Sequence, residues 1–412
     1  SKAMADVLNT SAFLPETAEG YKFIADAASV WDNLDEILPN FCIPYNNPNA
    51  YYESPYIHTV VLTGLEPRKE YTYQPGGTTT DFRFLTPAAP GPVPEGEPFK
   101  LGVWGDVGIT GVSNMNRALM QSLKPELVLL VGNLAYADGW HPRWETFGKL
   151  MEPLMSKVAT LSVPGNHEMS SGRTNGVDWK NLYPVPYRAA GSETPLWYSY
   201  DAGPVHVLSL IGSYAPTGKD SPQYAFVLDD LTRLNRTLTP WLVVQFHVPW
   251  YTTATKHYQE GFLHQQDMET LFFEHGVDVV FAGHVRDYER SHVIYQSQEN
   301  ECGMTHIVAG DGGNSEGPSS AGADGWIQPQ PAYSAFRETS FGVGMLTVFN
   351  ATHAEWRWQR GACVTRNLTR NASWLAAGVR NEEVRYHWDG VMGPEDGCKT
   401  TDDMSDKATL AE

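Results

Sequence analysis

From Phe99 onward the chain is punctuated by apolar runs of strand length: LGVW, LVLLV, VATLSV, VHVLSLI, WLVVQF, VDVVFA and HIVAG. Runs that are apolar without alternation belong to strands covered on both faces, which predicts a layered α/β domain. Amphipathic segments lie between several of them. Tyr224, Val227, Leu228, Leu231 and Leu234 recur at spacings of three and four, and residues 262–275 read as a helix closing on Gly276. Upstream the period changes to two. The stretches IHTVVLTGL, KEYTYQPGG and DFRFLTP alternate around Gly and Pro, which predicts hairpins of a small antiparallel β-domain. Residues 87–98, PAAPGPVPEGEP, are too Pro-rich for a helix or a central strand and read as a stiff linker. Residues 1–50 show no clean period, and after about Gly361 the chain turns polar. The expected division is a β-domain over 1–86, a linker over 87–98, the layered domain over 99–360, and an appendage or tail over 361–412.

Five of the apolar runs close on polar residues, most of them of types that bind metals. They are Asp106 (WGDVG), Asn133 and Tyr136 (VGNLAYADG), Asn166 and His167 (VPGNHE), His247 (VVQFHVPW), and His284 with Arg286 (FAGHVRDYER). Ligands in open α/β sheets bind beyond the carboxyl ends of the strands, where these residues fall. A single histidine after a strand is usually a satisfied core or loop residue; five such endings in order are a site.

Composition narrows the class. With 42% hydrophobic and only 19% charged residues the chain is globular and not disordered, and no apolar stretch approaches the length of a membrane span. A formal charge of -19 argues against binding nucleic acid or anionic membranes without local capture. Cys42, Cys302, Cys363 and Cys398 lack the spacing of a zinc knuckle or redox pair, and sequons stand at Asn9, Asn235, Asn350, Asn367 and Asn371. Together they favour a secreted, extracellular glycoprotein with one or two disulfides, against the alternative of free thiols and unused sequons. No signal peptide is evident, so Ser1 reads as a mature or trimmed start.

On these motifs the chain resembles the purple acid phosphatases, closest to the large plant-type enzymes. The family pattern GD, GDxxY, GNH(D/E), VxxH and GHxH is matched at Gly105-Asp106, Gly132-Asn133 through Tyr136, Gly165 to Glu168, Val244 to His247, and Gly283 to Arg286. Supporting stretches include WYSYDAGPVHVL, HVPWY, GDGGNSEG, QPQPAYSAFRE and LTVFNATHAEWRW. The resemblance spans about residues 55–360. It implies an atypical or shortened fibronectin-like antiparallel β-domain followed by a four-layer α/β/β/α metallophosphoesterase sandwich.

Carried over residue by residue, the resemblance gives a ferric site at Asp106, Tyr136 and the position of Arg286. A divalent site for Zn, Fe or Mn falls at Asn166, His247 and His284, with position 133 bridging. It puts His167 and His257 on the substrate side and makes them the catalytic candidates; Lys256 stands where plant members often have a further histidine. The implied ligand is phosphate or a phosphomonoester. Plant-type relatives are often dimers, which leaves a homo-oligomer or an extracellular assembly partner open.

Two positions depart from the pattern. Asn133 replaces a bridging carboxylate by a neutral amide, and Arg286 replaces an imidazole by a guanidinium that offers only donors. The expectation is that Arg286 fills the vacated position and pairs with Asp106, leaving one divalent metal (Zn) or none; the alternative is that Arg286 swings outward and metal binds. Function divides accordingly. Either the chain is an impaired acid phosphatase, or it is a non-catalytic extracellular binding or assembly protein keeping the fold and an anion pocket of His167, Arg286 and His257.

Overall fold

The structure is a computed structural model and describes residues 54–139, 141–169, 176–320, 325–361 and the backbone of 407–411. The apolar runs become the centres of two sheets. In the first, β3 (Phe99–Trp104), β4 (Leu127–Leu130) and β5 (Ala159–Ser162) run parallel. Beyond β3 it continues antiparallel through β14 (Gly342–Val348), β15 (His353–Arg360) and β16 (Lys407–Ala411). In the second, β7 (Val205–Leu210), β8 (Trp241–Gln245), β9 (Val279–Ala282) and β12 (Met304–Ala309) run parallel. Its flanks are β6 (Trp197–Ala202) on one side and β10 (Tyr288–Tyr295) with β11 (Gln298–Glu299) and β13 (Ser334–Glu338) on the other.

Helices cover the outer faces. On the first sheet lie α1 (Gly111–Leu123) and α2 (Pro142–Met155), whose Leu119, Met120, Phe147 and Met151 join its core. The short α3 (Asn166–Met169) and α4 (Val177–Leu182) follow β5. On the second sheet α5 (Pro222–Arg233) and α6 (Phe262–Glu274) set Val227, Leu231, Met268 and Phe272 against Leu208, Val244 and Phe246. Aromatic rings join the two sheets. Phe281 and Trp356 lie 5.0 Å apart, Tyr288 stacks on Trp358 at 4.5 Å, and Trp356 Nε1 donates to the Tyr288 hydroxyl at 2.8 Å. The predicted layered sandwich is present, and both predicted helices form; Leu228, assigned to the apolar stripe of α5, is 42% exposed.

The upstream region differs from expectation. KEYTY and FRFL pair as the hairpin β1 (Glu70–Tyr73) and β2 (Phe82–Leu85). IHTVVLTGL forms no strand, and its Val60, Val61 and Leu62 are 62%, 83% and 55% exposed. Alternation gives a strand only where an edge is available to pair with, and none of the described segments offers this one a partner. The first 53 residues of the expected β-domain lie outside the described residues. The Pro-rich segment is coil as predicted but is not free: the Gly91 N–H donates to Gly203 O at 2.9 Å and the Gly203 N–H to Ala88 O at 3.1 Å, docking it on the turn between β6 and β7. Most of the expected tail also lies outside the described residues, yet 407–411 add the edge strand β16. Among the described residues, no helix is long and apolar enough to cross a membrane.

Candidate functional site

The five strand ends meet. Asp106 follows β3, Asn133 and Tyr136 follow β4, Asn166 opens α3 after β5, His247 follows β8, and His284 and Arg286 follow β9. Backbone bonds knit adjacent turns together: the Asp106 N–H donates to Gly132 O, Val107 N–H to Asn133 O, and Gly283 N–H to His247 O, at 2.9–3.0 Å. The turns are tight enough to force left-handed backbone. Asp106, Asn133, Tyr136, Asp138 and His284 all have φ between 49° and 68°. Asn, Asp and His tolerate that region better than other side chains, and local strain of this kind collects at functional sites. Gly165 shows how closely the chains approach, since an added Cβ would lie 2.2 Å from Asn133 Oδ1 and 2.6 Å from His247 Nε2.

Asn133 is the hub. Its Oδ1 accepts the His167 N–H at 3.0 Å, which fixes the amide's orientation and aims Nδ2 at two oxygens. Nδ2 donates to Asp106 Oδ1 and to Asn166 Oδ1, both at 2.9 Å. The amide therefore joins by hydrogen bonds the two groups that a bridging carboxylate would join through metals. The buried Glu168 holds this turn from below, accepting N–H groups of Asn133, Leu134 and Gly165 at 2.8–3.0 Å.

The ferric half is occupied by hydrogen bonds. Asp106 Oδ1 also accepts the Tyr136 hydroxyl at 2.7 Å, and Oδ2 accepts the His284 N–H at 2.7 Å. Burial raises Asp106 above the ordinary carboxylate value against the bonds from Tyr136 and Asn133. Burial and the neighbouring Asp106 push Tyr136 well above the ordinary phenol, so it stands as a hydroxyl donor to Asp106. Arg286 does not pair with Asp106, contrary to expectation. Its Nη1 lies 2.9 Å from Glu316 Oε2 and its Nε donates to Gly317 O at 2.8 Å. Asp106 already accepts three donors, whereas the loop after β12 brings Glu316 over the guanidinium. This donor set does not fit Fe(III), because a fixed guanidinium at 286 replaces the imidazole and a neutral amide at 133 replaces the bridging carboxylate.

The other half fits a divalent ion. Asn166 Oδ1 lies 3.1 Å from both His247 Nε2 and His284 Nδ1. Ligand atoms about 3 Å apart match a tetrahedron with bonds of about 2.0–2.1 Å. His247 Nδ1 donates to Val131 O at 2.7 Å, and burial lowers this imidazole far below its ordinary value. It is thus neutral, with its Nε2 lone pair facing the lone pairs of Asn166 Oδ1, an arrangement that asks for a cation between them. His284 is oriented from behind. Its Nε2 donates to Glu260 Oε2 at 2.5 Å, while His257 Nδ1 donates to Glu260 Oε1 at 3.1 Å. These two bonds hold the Glu260 carboxylate well below its usual range.

His167 packs its ring 4.0 Å from that of Tyr136 and bonds Asp138 Oδ1 at 2.6 Å. Burial lowers its pKa, but Asp138 and the nearby Glu316 and Glu168 outweigh burial and leave it raised. His257 is 9% exposed and its ring lies 4.5 Å from His284, while Lys256 is exposed. Sequence reasoning thus named the residues that converge here but missed four carboxylates bonded to them: Asp138, Glu168, Glu260 and Glu316. Asp138, Glu168 and Glu316 lie inside quoted motifs and Glu260 lies three residues after His257, and a count of imidazoles and cations needing partners would have asked for them. A separate cavity of about 420 Å³, lined by Ile57, Trp144 and Tyr183, lies away from this chemistry.

Of the remaining expected sites, Asn235 and Asn350 occupy exposed turns in which each Oδ1 accepts from the threonine of its own sequon. Asn9, Asn367 and Asn371 lie outside the described residues. Cys302 is an exposed free thiol, and Cys42, Cys363 and Cys398 lie outside the described residues.

Residues 99–287 match the model of the calcineurin-like phosphoesterases, and residues 303–367 match that of iron/zinc purple acid phosphatase-like protein C. Purple acid phosphatase 18 of Arabidopsis thaliana is 38% identical over 348 residues, covering 80% of this chain and 77% of that one. Purple acid phosphatase 1 of Ipomoea batatas is 37% identical over 333 residues, covering 75% and 69%. Among solved structures, a purple acid phosphatase from yellow lupin seeds superposes with a TM-score of 0.64 at 25% identity, covering 73% of this chain and 59% of that one.

Proposed function

The chain belongs to the purple acid phosphatase family of metallophosphoesterases, and on that premise we propose that it is a member impaired in two-metal hydrolysis of phosphomonoesters. One observation carries this reading. The Asn133 amide donates to Asp106 and Asn166 at once, so the bridging position is closed by hydrogen bonds. Asn166, His247 and His284 would hold one divalent ion, zinc by donor type, which supplies Lewis-acid polarisation of a phosphoryl oxygen. His167, His257 and Arg286 are the groups left to bind a phosphate or phosphomonoester. A second reading, a non-catalytic extracellular protein that binds or assembles through the same fold, is favoured by the Arg286–Glu316 pair standing where a metal ligand is expected.

The same proposal takes the chain to be a secreted glycoprotein, for which the exposed turns at Asn235 and Asn350 offer support. It keeps the shortened fibronectin-like domain over 1–86, the domain limits given above, and a homo-oligomer or assembly partner as open proposals.

Elemental analysis with p-nitrophenyl phosphate turnover at acid pH tests the main claim. The expected result is at most one zinc per chain, no violet tyrosinate-to-iron absorption, and turnover at least about 100-fold below that of a relative with all seven ligands. Two metals per chain with appreciable turnover would sink it. The double substitution Asn133→Asp with Arg286→His is expected to restore the second metal and the colour. If it restores neither, these two residues do not account for the loss.

A further inference from the structure

The carboxylate that meets the site's fixed cation comes from the loop after β12 and not from a strand end. Glu316 sets Oε2 2.9 Å from Arg286 Nη1 and Oε1 3.6 Å from His167 Nε2, so one planar anion spans both groups. The three side chains are unequally committed. Those of Arg286 and His167 are 7% and 13% exposed, whereas that of Glu316 is 42% exposed.

Arg286 is pinned by Gly317 O and, through its backbone N–H, by Ser319 Oγ; His167 is pinned by Asp138 and Asn133. Among the described residues the Glu316 carboxylate has no other partner. Its loop turns at Gly313 (φ 113°) and Gly317 (φ 74°), and an added Cβ at Gly317 would meet nothing within 4 Å. A half-exposed carboxylate returns to water cheaply, but a buried guanidinium left without an anion is costly. The pocket therefore requires an anion without requiring this one.

We propose that Arg286 and His167 form a binding site for phosphate-type oxyanions and that Glu316 is its built-in, displaceable occupant. The proposal rests on the reading that the ferric half is closed to metal, and it deepens that reading by naming what the half accepts instead. A tetrahedral oxyanion offers the guanidinium two acceptors, as the carboxylate does, and further oxygens for His167. Local capture is what a chain of net charge -19 needs in order to hold an anion.

The test is calorimetric titration of the full chain with inorganic phosphate and, separately, with phenylphosphonate. The proteins compared are the unmodified chain, Glu316→Gln, Glu316→Ala, and Glu316→Gln combined with Arg286→Met. Removing the internal competitor is expected to tighten binding at least about tenfold, since apparent affinity scales with the open fraction. Both single variants should show the gain, and the double variant should lose it. A larger gain for phosphate identifies the free ion as the ligand, and a larger gain for phenylphosphonate identifies an esterified one. Equal affinity in the unmodified chain and both single variants overturns the proposal. So does a gain that survives removal of Arg286, which would put the anion on a metal. The one-metal reading fails separately, on two ions per chain by elemental analysis.

Discussion

Position 133 carries an amide whose geometry is as specific as that of a ligand. Nδ2 has two protons and both are used, one toward each half of the site. The substitution itself was legible in the sequence, because a donor-only or neutral group at a ligand position is visible from residue type alone. The partner of Arg286 was not. Choosing between Asp106 and Glu316 depends on how many donors Asp106 already accepts and on a loop 30 positions downstream, neither of which a local motif encodes. Glu260 illustrates the same gap and gives a prediction. It is the carboxylate behind His284, and such partners typically set metal affinity by 10–100-fold. Glu260→Gln is expected to weaken zinc binding by about that factor, read by competition with a chromogenic chelator. An unchanged affinity would show that Glu260 does not orient His284 toward a metal.

At the scale of elements, the site is a property of turns. The parallel runs were legible because strands buried on both faces read as unbroken apolar text, and their carboxyl ends were then fixed by the dipeptides that follow. IHTVVLTGL misled because alternation records which side chains share a face, not whether an edge exists to pair with. The glycines of the turns matter for a different reason. Gly165 lies where a Cβ would overlap Asn133 Oδ1 and His247 Nε2, so Gly165→Ala must push β5's turn away from β4's and β8's. The expected cost is about 2–3 kcal/mol in chemical denaturation, together with loss of zinc binding. A variant that keeps both stability and zinc would show that the turns are not packed as tightly as described.

At the scale of the molecule, the seam between the sheets carries a buried ionisable group whose burial no local motif encodes. Asp311 is fully buried, accepts Trp358 Nε1 at 2.6 Å, and burial raises it from 3.8 to about 7. A carboxyl whose folded pKa is raised contributes stability that is fully present below its unfolded value. That contribution is lost as pH rises through about 7. Asp311→Asn removes the titration. Its stability relative to the unmodified chain is expected to improve by about 2 kcal/mol between pH 5 and pH 8. Urea unfolding at the two pH values checks this; an identical difference at both would show that Asp311 is not linked to folding there.

Asn133, finally, lends itself to magnetic resonance. Its side chain is 2% exposed and its two amide protons bond different oxygens, so they should exchange slowly with deuterated solvent and give two well-separated signals. A zinc ion taken up by Asn166, His247 and His284 draws on Asn166 Oδ1 and leaves Asp106 alone. Titrating zinc is therefore expected to move one resonance of the pair while the other stays still. A relative with aspartate at this position has no such signal, so the residue that marks the lost bridge also reports, proton by proton, which half of the site is filled.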